Sequence, residues 1–125
     1  MRVLDASAML ALIQEEPGHD QVIKPGLAHC ASAVNMAEVR SKLFDRGLAE
    51  IETEIVVRGL NVPVKDFSDD QSRLSGALRP VTKDQGLSLA DRACLALAQS
   101  LGATAVTADK IWGALSVGVS VEVIR

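Results

Sequence analysis

Aromatic side chains are nearly absent from this chain. Its 125 residues include two Phe, one Trp and no Tyr. RRM, OB-fold and cold-shock domains hold nucleic acids by stacking bases on exposed aromatic rings. The shortage of aromatic residues therefore argues against all three designs.

A positive charge excess is also missing. Thirteen Lys and Arg residues stand against sixteen Asp and Glu residues, which leaves a formal net charge of −3. Proteins that bind nucleic acid through a broad basic surface carry the opposite sign. Taken over the whole chain, the charge argues against that kind of binding.

Cysteine is scarce, and long hydrophobic runs do not occur. Cys30 and Cys94 have no Cys or His neighbour at metal-ligand spacing, which is typical of buried, reduced thiols in a cytoplasmic protein. Asp5 interrupts the apolar N-terminus where a signal peptide would remain uncharged. No apolar run approaches the roughly 18 residues of a membrane span. These absences predict a soluble cytoplasmic protein that makes no contact with a membrane.

Apolar residues make up 48% of the chain, and their spacing alternates between that of strands and that of amphipathic helices. Strands are predicted over residues 3–4, 28–31, 61–64, 104–107 and 119–124. Helices are predicted over residues 8–13, 19–23, 34–47, 48–59, 67–79 and 88–101. This alternation is typical of a mostly parallel sheet of four to five strands covered on both faces. At this length we expect one α/β domain spanning residues 1–125.

Common catalytic motifs are missing from the sequence. It contains no GxGxxG, GxxxxGK[ST], HExxH, CxxC or GxSxG. The two histidines do not suggest a paired general base and acid, because His19 lies in a turn and His29 in a predicted strand. Chemistry that depends on these motifs is therefore not indicated.

Four carboxylates lie where predicted strands end or the following helices begin. They are Asp5, Glu38, Asp91 and Asp109. In a parallel α/β sheet these positions belong to the carboxyl edge, where such folds build their ligand crevice. Four converging carboxylates repel one another unless a cation lies between them. Oxygen ligands of this kind suit Mg²⁺ or Mn²⁺.

Each carboxylate also has a purely structural explanation. Asp5 fits the N-cap of the first helix, and Asp109 fits a turn. Asn35-x-x-Glu38 and Ser88-x-x-Asp91 fit, or nearly fit, capping boxes. The structural explanations do not account for the placement of all four on one edge of the sheet, which favours a metal site.

The motifs in order resemble those of PIN-domain ribonucleases, most closely the VapC-type toxins of bacterial toxin–antitoxin modules. The resemblance rests on LDASA at residues 4–8, on Asn35-x-x-Glu38, on LSLADRACLALA at residues 87–98 and on TADKIW at residues 107–112. It covers the whole chain, and only Ala6 departs from it, where the family often has Thr. The implied fold is a three-layer α/β/α sandwich.

The resemblance implies a metal-dependent endoribonuclease that hydrolyses RNA phosphodiester bonds as the toxin of a toxin–antitoxin pair. One or two Mg²⁺ or Mn²⁺ ions would be held by Asp5 and Asp91, and by Asp109 directly or through water. Glu38 would be a further ligand or would orient the attacking water. Ser7 and Thr107 would fix the carboxylates by donating hydrogen bonds, or would serve as a helix cap and a buried strand residue.

Three basic residues lie near the motifs and are candidates for contact with RNA phosphates. They are Arg40, Arg92 and Lys110, and the alternative for each is a place on an ordinary charged surface. Removing the four site carboxylates, or binding two divalent ions, changes the net charge from −3 to +1. An acidic balance is therefore compatible with an RNA substrate held by phosphate, metal and shape.

The helical hairpin of residues 34–59 carries more apolar residues than one small sheet covers easily. The resemblance implies that this region helps to form a homodimer and a groove for an antitoxin segment. The alternative is that Ile51, Ile55 and Val56 complete the core.

Other functions with an acidic residue after the first strand fit less well. A haloacid-dehalogenase-like phosphatase needs a second Asp where this chain has Ser7, and a receiver domain needs an acidic pair near the first strand that is absent. A catalytically inert PIN-like module that binds metal or a partner remains the main alternative.

Overall fold

The structure is a computed structural model that describes all 125 residues. Five strands form one sheet in the order β3-β2-β1-β4-β5, and every neighbouring pair is parallel. The strands are β1 (Arg2–Leu4), β2 (His29–Ser32), β3 (Val64–Lys65), β4 (Thr104–Thr107) and β5 (Ser120–Val123). The expected mostly parallel sheet is confirmed and is parallel throughout.

Six α-helices connect and cover the strands. They are α1 (Ala6–Gln14), α2 (Ala33–Asp45), α3 (Glu50–Gly59), α4 (Asp69–Ala77), α5 (Arg79–Thr82) and α6 (Leu89–Leu101). Short 3₁₀ helices occupy His19–Gln21 and Lys110–Ala114. None of the helices is long and apolar enough to cross a membrane.

Successive strand residues face opposite sides of the sheet and enter two separate cores. In β1, Leu4 packs with residues of α1, α2 and α3, whereas Val3 packs with residues of α6. In β4, Val106 lies in the same core as Leu4, and Ala105 lies in the same core as Val3. Helices therefore cover both faces, which confirms the three-layer sandwich.

Two details of the helices differ from expectation. The helix expected over residues 67–79 is confined to Asp69–Ala77, and Pro80 lies in the first turn of the separate helix α5, where its lack of an N–H costs no helical hydrogen bond. Phe44, an apolar residue of the helix predicted over residues 34–47, is 47% exposed. It lies about 100° around the helix from Leu43, which occupies the buried stripe with Met36 and Val39.

The helical hairpin buries only part of its apolar surface. Val57 is buried and Val56 packs against the core, but Ile51 is 72% and Ile55 66% exposed. The interpretation that Ile51 and Ile55 complete the core is therefore wrong. Both cysteines are buried and unpaired, as expected.

Candidate active site

The chain changes direction across the sheet between β1 and β4. From β1 it proceeds to β2 and β3 on one side, and later returns to place β4 and β5 on the other. Parallel sheets form their ligand crevice at such a switch point, outside the carboxyl ends of the strands. Asp5 directly follows β1, and Asp109 lies two residues beyond β4.

A cleft of about 200 Å³ opens at this switch point. The eight residues that line it are Asp5, Ala6, Ser7, Leu10, Glu38, Lys42, Asp91 and Asp109. All four carboxylates singled out in the sequence therefore line the same cleft. They come from the ends of β1 and β4, from α2 and from the first turn of α6.

Asp5 is the most constrained of the four. It is 4% exposed and is the N-cap of α1. Its Oδ1 accepts hydrogen bonds from the Ser7 hydroxyl at 2.7 Å and the Ala8 amide at 2.8 Å, and its Oδ2 accepts one from the Thr107 hydroxyl at 2.5 Å. The capping role expected of Asp5 and its place in the cleft are compatible.

Burial raises the pKa of Asp5 from 3.8 to about 6. The hydrogen bonds from Thr107, Ala8 and Ser7 lower the pKa but do not outweigh burial, and the negative charge of Asp91 raises it further. A cation bound in the cleft would favour the ionised form of Asp5 and offset this cost.

Ser7 and Thr107 connect the ends of β1 and β4. Leu4 is in register with Val106, so the residues that follow them are neighbours. The two hydroxyl oxygens lie 3.2 Å apart, and each also accepts a backbone N–H, Ser7 from Ala108 and Thr107 from Asp109. Both hydroxyls hold the Asp5 carboxylate, and Thr107 also fixes the backbone at Asp109.

Replacing Thr107 by Val is expected to raise the pKa of Asp5 from about 6 to roughly 7 in the absence of metal, since a hydrogen bond to the ionised form is lost. The pKa would be measured by NMR titration of the carboxyl carbons in ¹³C-labelled protein. Thr107→Ser keeps the hydroxyl and should leave the pKa near the wild-type value. An Asp5 pKa unchanged in the Val variant would contradict the role assigned to Thr107.

Asp91 and Glu38 retain more freedom than Asp5. Asp91 forms the capping box expected with Ser88, in which the Ser88 amide donates to Asp91 Oδ2 at 2.9 Å and the Asp91 amide donates to the Ser88 hydroxyl at 3.1 Å. Asp91 Oδ1 accepts no hydrogen bond from the protein, and neither does the half-buried Glu38. Both side chains therefore have oxygens available to a ligand.

The capping box expected for Asn35 and Glu38 is wrong. Ser32 is the N-cap of α2 and accepts a hydrogen bond from the Val34 amide, which places Asn35 inside the helix. Asn35 is 1% exposed and donates its side-chain N–H to the Ala90 carbonyl at 2.9 Å. Through this bond it ties the first turn of α2 to the first turn of α6, and so Glu38 to Asp91.

The motifs of the sequence did not indicate this role of Asn35, although a polar residue beside Met36 on the buried side of α2 was an available signal. The motifs did not indicate Lys42 either, which lines the cleft.

The three basic residues proposed for phosphate contact do not line the cleft. Arg40 forms an ion pair with Glu54 of α3, with Nε and Oε1 3.0 Å apart. Arg92 donates to the Ser75 carbonyl at 3.0 Å. Lys110 is exposed beside Asp109 but outside the cleft lining. Lys42 is the one basic side chain among the lining residues.

The cleft offers carboxylate oxygens, which are the ligands that Mg²⁺ and Mn²⁺ prefer. No three His, Cys, Asp or Glu side chains are close enough together to hold an ion directly. Mg²⁺ commonly binds one or two carboxylates and keeps several waters, so a wider arrangement is compatible with it. Asp5, whose ionised form is penalised by burial and by Asp91, is suited to such a cation. The residues present therefore fit a hydrated divalent ion.

A second surface feature lies on the exposed side of α3. Ile51 and Ile55, with Glu50, Glu54 and Arg58, line a groove of about 590 Å³. Its lining combines exposed apolar side chains with two carboxylates and one guanidinium group, and it contains no histidine. It is therefore suited to contact with another protein more than to catalysis.

Comparison with known proteins identifies the family. A family model described as PIN domain matches residues 2–117. No curated protein sequence matches the chain.

Several solved structures share the fold. A toxin-antitoxin complex from Klebsiella pneumoniae is 18% identical, with a TM-score of 0.78 over 100% of this chain and 98% of that one. A DNA-bound VapBC from Salmonella typhimurium is 19% identical, with a TM-score of 0.79 over 99% and 98%. VapC20 from Mycobacterium tuberculosis, a Sarcin-Ricin loop cleaving toxin, is 17% identical, with a TM-score of 0.73 over 96% and 99%. At these identities the likeness establishes a common fold.

Proposed function

Because this chain belongs to the PIN domain family, we propose that it is an Mg²⁺- or Mn²⁺-dependent endoribonuclease and the toxin of a toxin–antitoxin pair. One observation carries the proposal: four carboxylates from separate elements line one cleft at the switch point of the sheet. The likeness to solved toxin structures over nearly the whole chain supports it. In this proposal residues 1–125 act as one domain in the cytoplasm.

The residues of the cleft have different roles in the proposed reaction. Asp5 and Asp91 hold the ion or ions, and Asp109 contributes directly or through water. When bound, the ion supplies Lewis-acid activation of water and neutralises charge at the scissile phosphate. Glu38, which accepts no hydrogen bond from the protein, would be a further ligand or would orient the attacking water. Ser7 and Thr107 keep the Asp5 carboxylate in place by their hydrogen bonds.

The proposal is tested by incubating the purified protein with a mixture of structured RNAs. We expect cleavage with millimolar Mg²⁺ or Mn²⁺ and none with EDTA, because the proposed mechanism relies on a bound ion to activate the attacking water and to neutralise charge at the phosphate. Cleavage products would be separated on denaturing gels. Cleavage that is undiminished in EDTA would contradict the mechanism. Metal binding without cleavage of any RNA would favour an inert metal- or partner-binding module.

We further propose that the exposed apolar side of α3 forms part of a homodimer interface, next to a groove for an antitoxin segment. Ile51 and Ile55 support this, because they lie about one turn apart on α3 and line the same groove, and adjoining exposed apolar side chains are a feature of interaction surfaces. The solved relatives include toxin–antitoxin complexes, consistent with a protein partner.

Replacing both Ile51 and Ile55 by Glu is expected to convert the dimer into a monomer, because burying two carboxylates in an apolar interface is strongly unfavourable. Light scattering coupled to size-exclusion chromatography gives the mass. Val81→Glu is the matched control, since Val81 is 58% exposed but lies on α5. A double variant that stays dimeric would rule out this face as the dimer interface.

A further inference from the structure

One basic side chain lines the acidic cleft. Lys42 lies on α2 four residues after Glu38, so the two side chains share one face of the helix. The other charged residues of the lining are the four carboxylates. Lys42 is therefore the single positive charge that the chain places at the cleft.

The ammonium group of Lys42 is free. Lys42 is exposed and takes part in none of the five ion pairs of the structure. Arg40 and Arg92 differ in this respect, because Arg40 is paired with Glu54 and Arg92 donates to the Ser75 carbonyl. Lys110 is also unpaired, but it lies outside the cleft lining. Lys42 is therefore the one basic side chain of the lining, and it can turn to an incoming anion without first breaking a contact.

We propose that Lys42 binds a phosphate of the RNA strand next to the phosphate that is cleaved, an inference that rests on the function proposed above. Along α2, Lys42 is four residues, or about 6 Å, from Glu38. Its long side chain therefore reaches beyond the carboxylates to a flanking phosphate. A polyanion entering a cleft of four carboxylates is repelled, and Lys42 is the protein's own counter-charge at that entrance.

The contact has a thermodynamic signature in its salt dependence. For single-stranded nucleic acid, each phosphate contact contributes about 0.7 to the slope of log Kd against log salt concentration. Binding would be measured by fluorescence anisotropy with a fluorescein-labelled single-stranded RNA of mixed sequence, in EDTA. Asp5→Asn would be present in every protein, so that traces of metal cause no cleavage.

We expect Lys42→Ala to weaken RNA binding about 5- to 10-fold at low salt and to lower the slope by about 0.7. Lys42→Arg keeps the charge and should preserve both values, whereas Lys42→Gln, which keeps most of the stem, should behave as Ala does. Lys24→Ala is the charge-matched control. Lys24 pairs with Glu122 of β5 outside the cleft, and its removal should leave the slope unchanged.

A kinetic measurement provides an independent readout. In the otherwise wild-type protein with Mg²⁺, Lys42→Ala should raise KM about 5- to 10-fold and change kcat less than about twofold, since a flanking phosphate is bound equally in the ground and transition states.

The contact is ruled out if Lys42→Ala leaves both Kd and the slope of log Kd against log salt concentration unchanged. It is also ruled out if the protein with Lys42 intact binds no RNA even at low salt. Its failure is separable from failure of the proposed function. A wild-type protein that cleaves RNA, combined with a Lys42→Ala variant of normal Kd and KM, removes only the role of Lys42. A slope that depends on Lys42, combined with a protein of wild-type Asp5 that cleaves no RNA in Mg²⁺, supports the phosphate contact of Lys42 and contradicts the nuclease.

Discussion

Replacing Asp5 by Asn is expected to reduce RNA cleavage at least about 1000-fold while the protein remains folded. A loss of this size corresponds to about 4 kcal/mol of transition-state stabilisation. Asn has the shape of Asp, and its oxygen can still accept from Ser7 and the Ala8 amide while its NH₂ group donates to Thr107. The substitution therefore removes the negative charge that holds the ion and leaves the surrounding hydrogen bonds largely satisfied.

Initial rates at saturating Mg²⁺ or Mn²⁺ measure this effect, with circular dichroism as the check on folding. Asp45→Asn is the charge-matched control, because Asp45 is an exposed carboxylate at the end of α2, outside the cleft. It should cleave at the wild-type rate. Cleavage by Asp5→Asn at more than a tenth of the wild-type rate would refute the assignment of Asp5 as a ligand.

The second large effect is on stability as a function of pH. Asp5 has a pKa of about 6 in the folded chain and 3.8 as its reference value, so the folded state binds this proton more tightly than the unfolded state. Stability from this group is fully present below pH 3.8 and is lost as pH rises through about 6. At about 1.36 kcal/mol per pKa unit, the loss is about 3 kcal/mol.

Urea denaturation of wild type and Asp5→Asn in EDTA between pH 4 and 8 isolates this contribution, because the other carboxyl groups titrate in both proteins. The two free energies of unfolding should be similar near pH 4, and the variant should be more stable by about 3 kcal/mol at pH 8. Adding Mg²⁺ at pH 8 should stabilise the wild type and leave the variant nearly unaffected. A difference between the proteins that does not vary with pH would contradict the raised pKa.

Much of the fold was predictable because the signals were local and repeated. Alternation of apolar residues at helical and strand spacing identified the elements, and α/β alternation implied a parallel sheet. The carboxyl ends of parallel strands lie at one edge, so Asp5 and Asp109 could be placed together without knowing any contact. The position of Asp91 at the start of α6 was predictable from the capping-box pattern. In the structure its carboxylate both caps the helix and lines the cleft.

The basic residues could not be assigned by proximity in the sequence. Arg40 is two residues from Glu38, which is about 200° around an α-helix and directs it to Glu54 of α3. Lys42 is four residues away, or about 40°, and so returns to the face of Glu38. Arg92, one residue after Asp91, lies about 100° around α6 and reaches the Ser75 carbonyl. Side chains that are one or two residues apart in a helix thus point in different directions, whereas side chains about one turn apart lie on the same face.

Sequence patterns alone determined the parallel α/β architecture, the four carboxylates and the edge of the sheet where they meet. These follow from the order of strands and helices and from the position of each carboxylate at the end of a strand or near the start of a helix. The tertiary structure decided which side chains are free and which are engaged. It paired Arg40 with Glu54, buried Asn35 against Ala90, and left Ile51, Ile55 and Lys42 exposed. These outcomes depend on how one helix is rotated and packed against another, which is set by contacts between residues far apart in the chain.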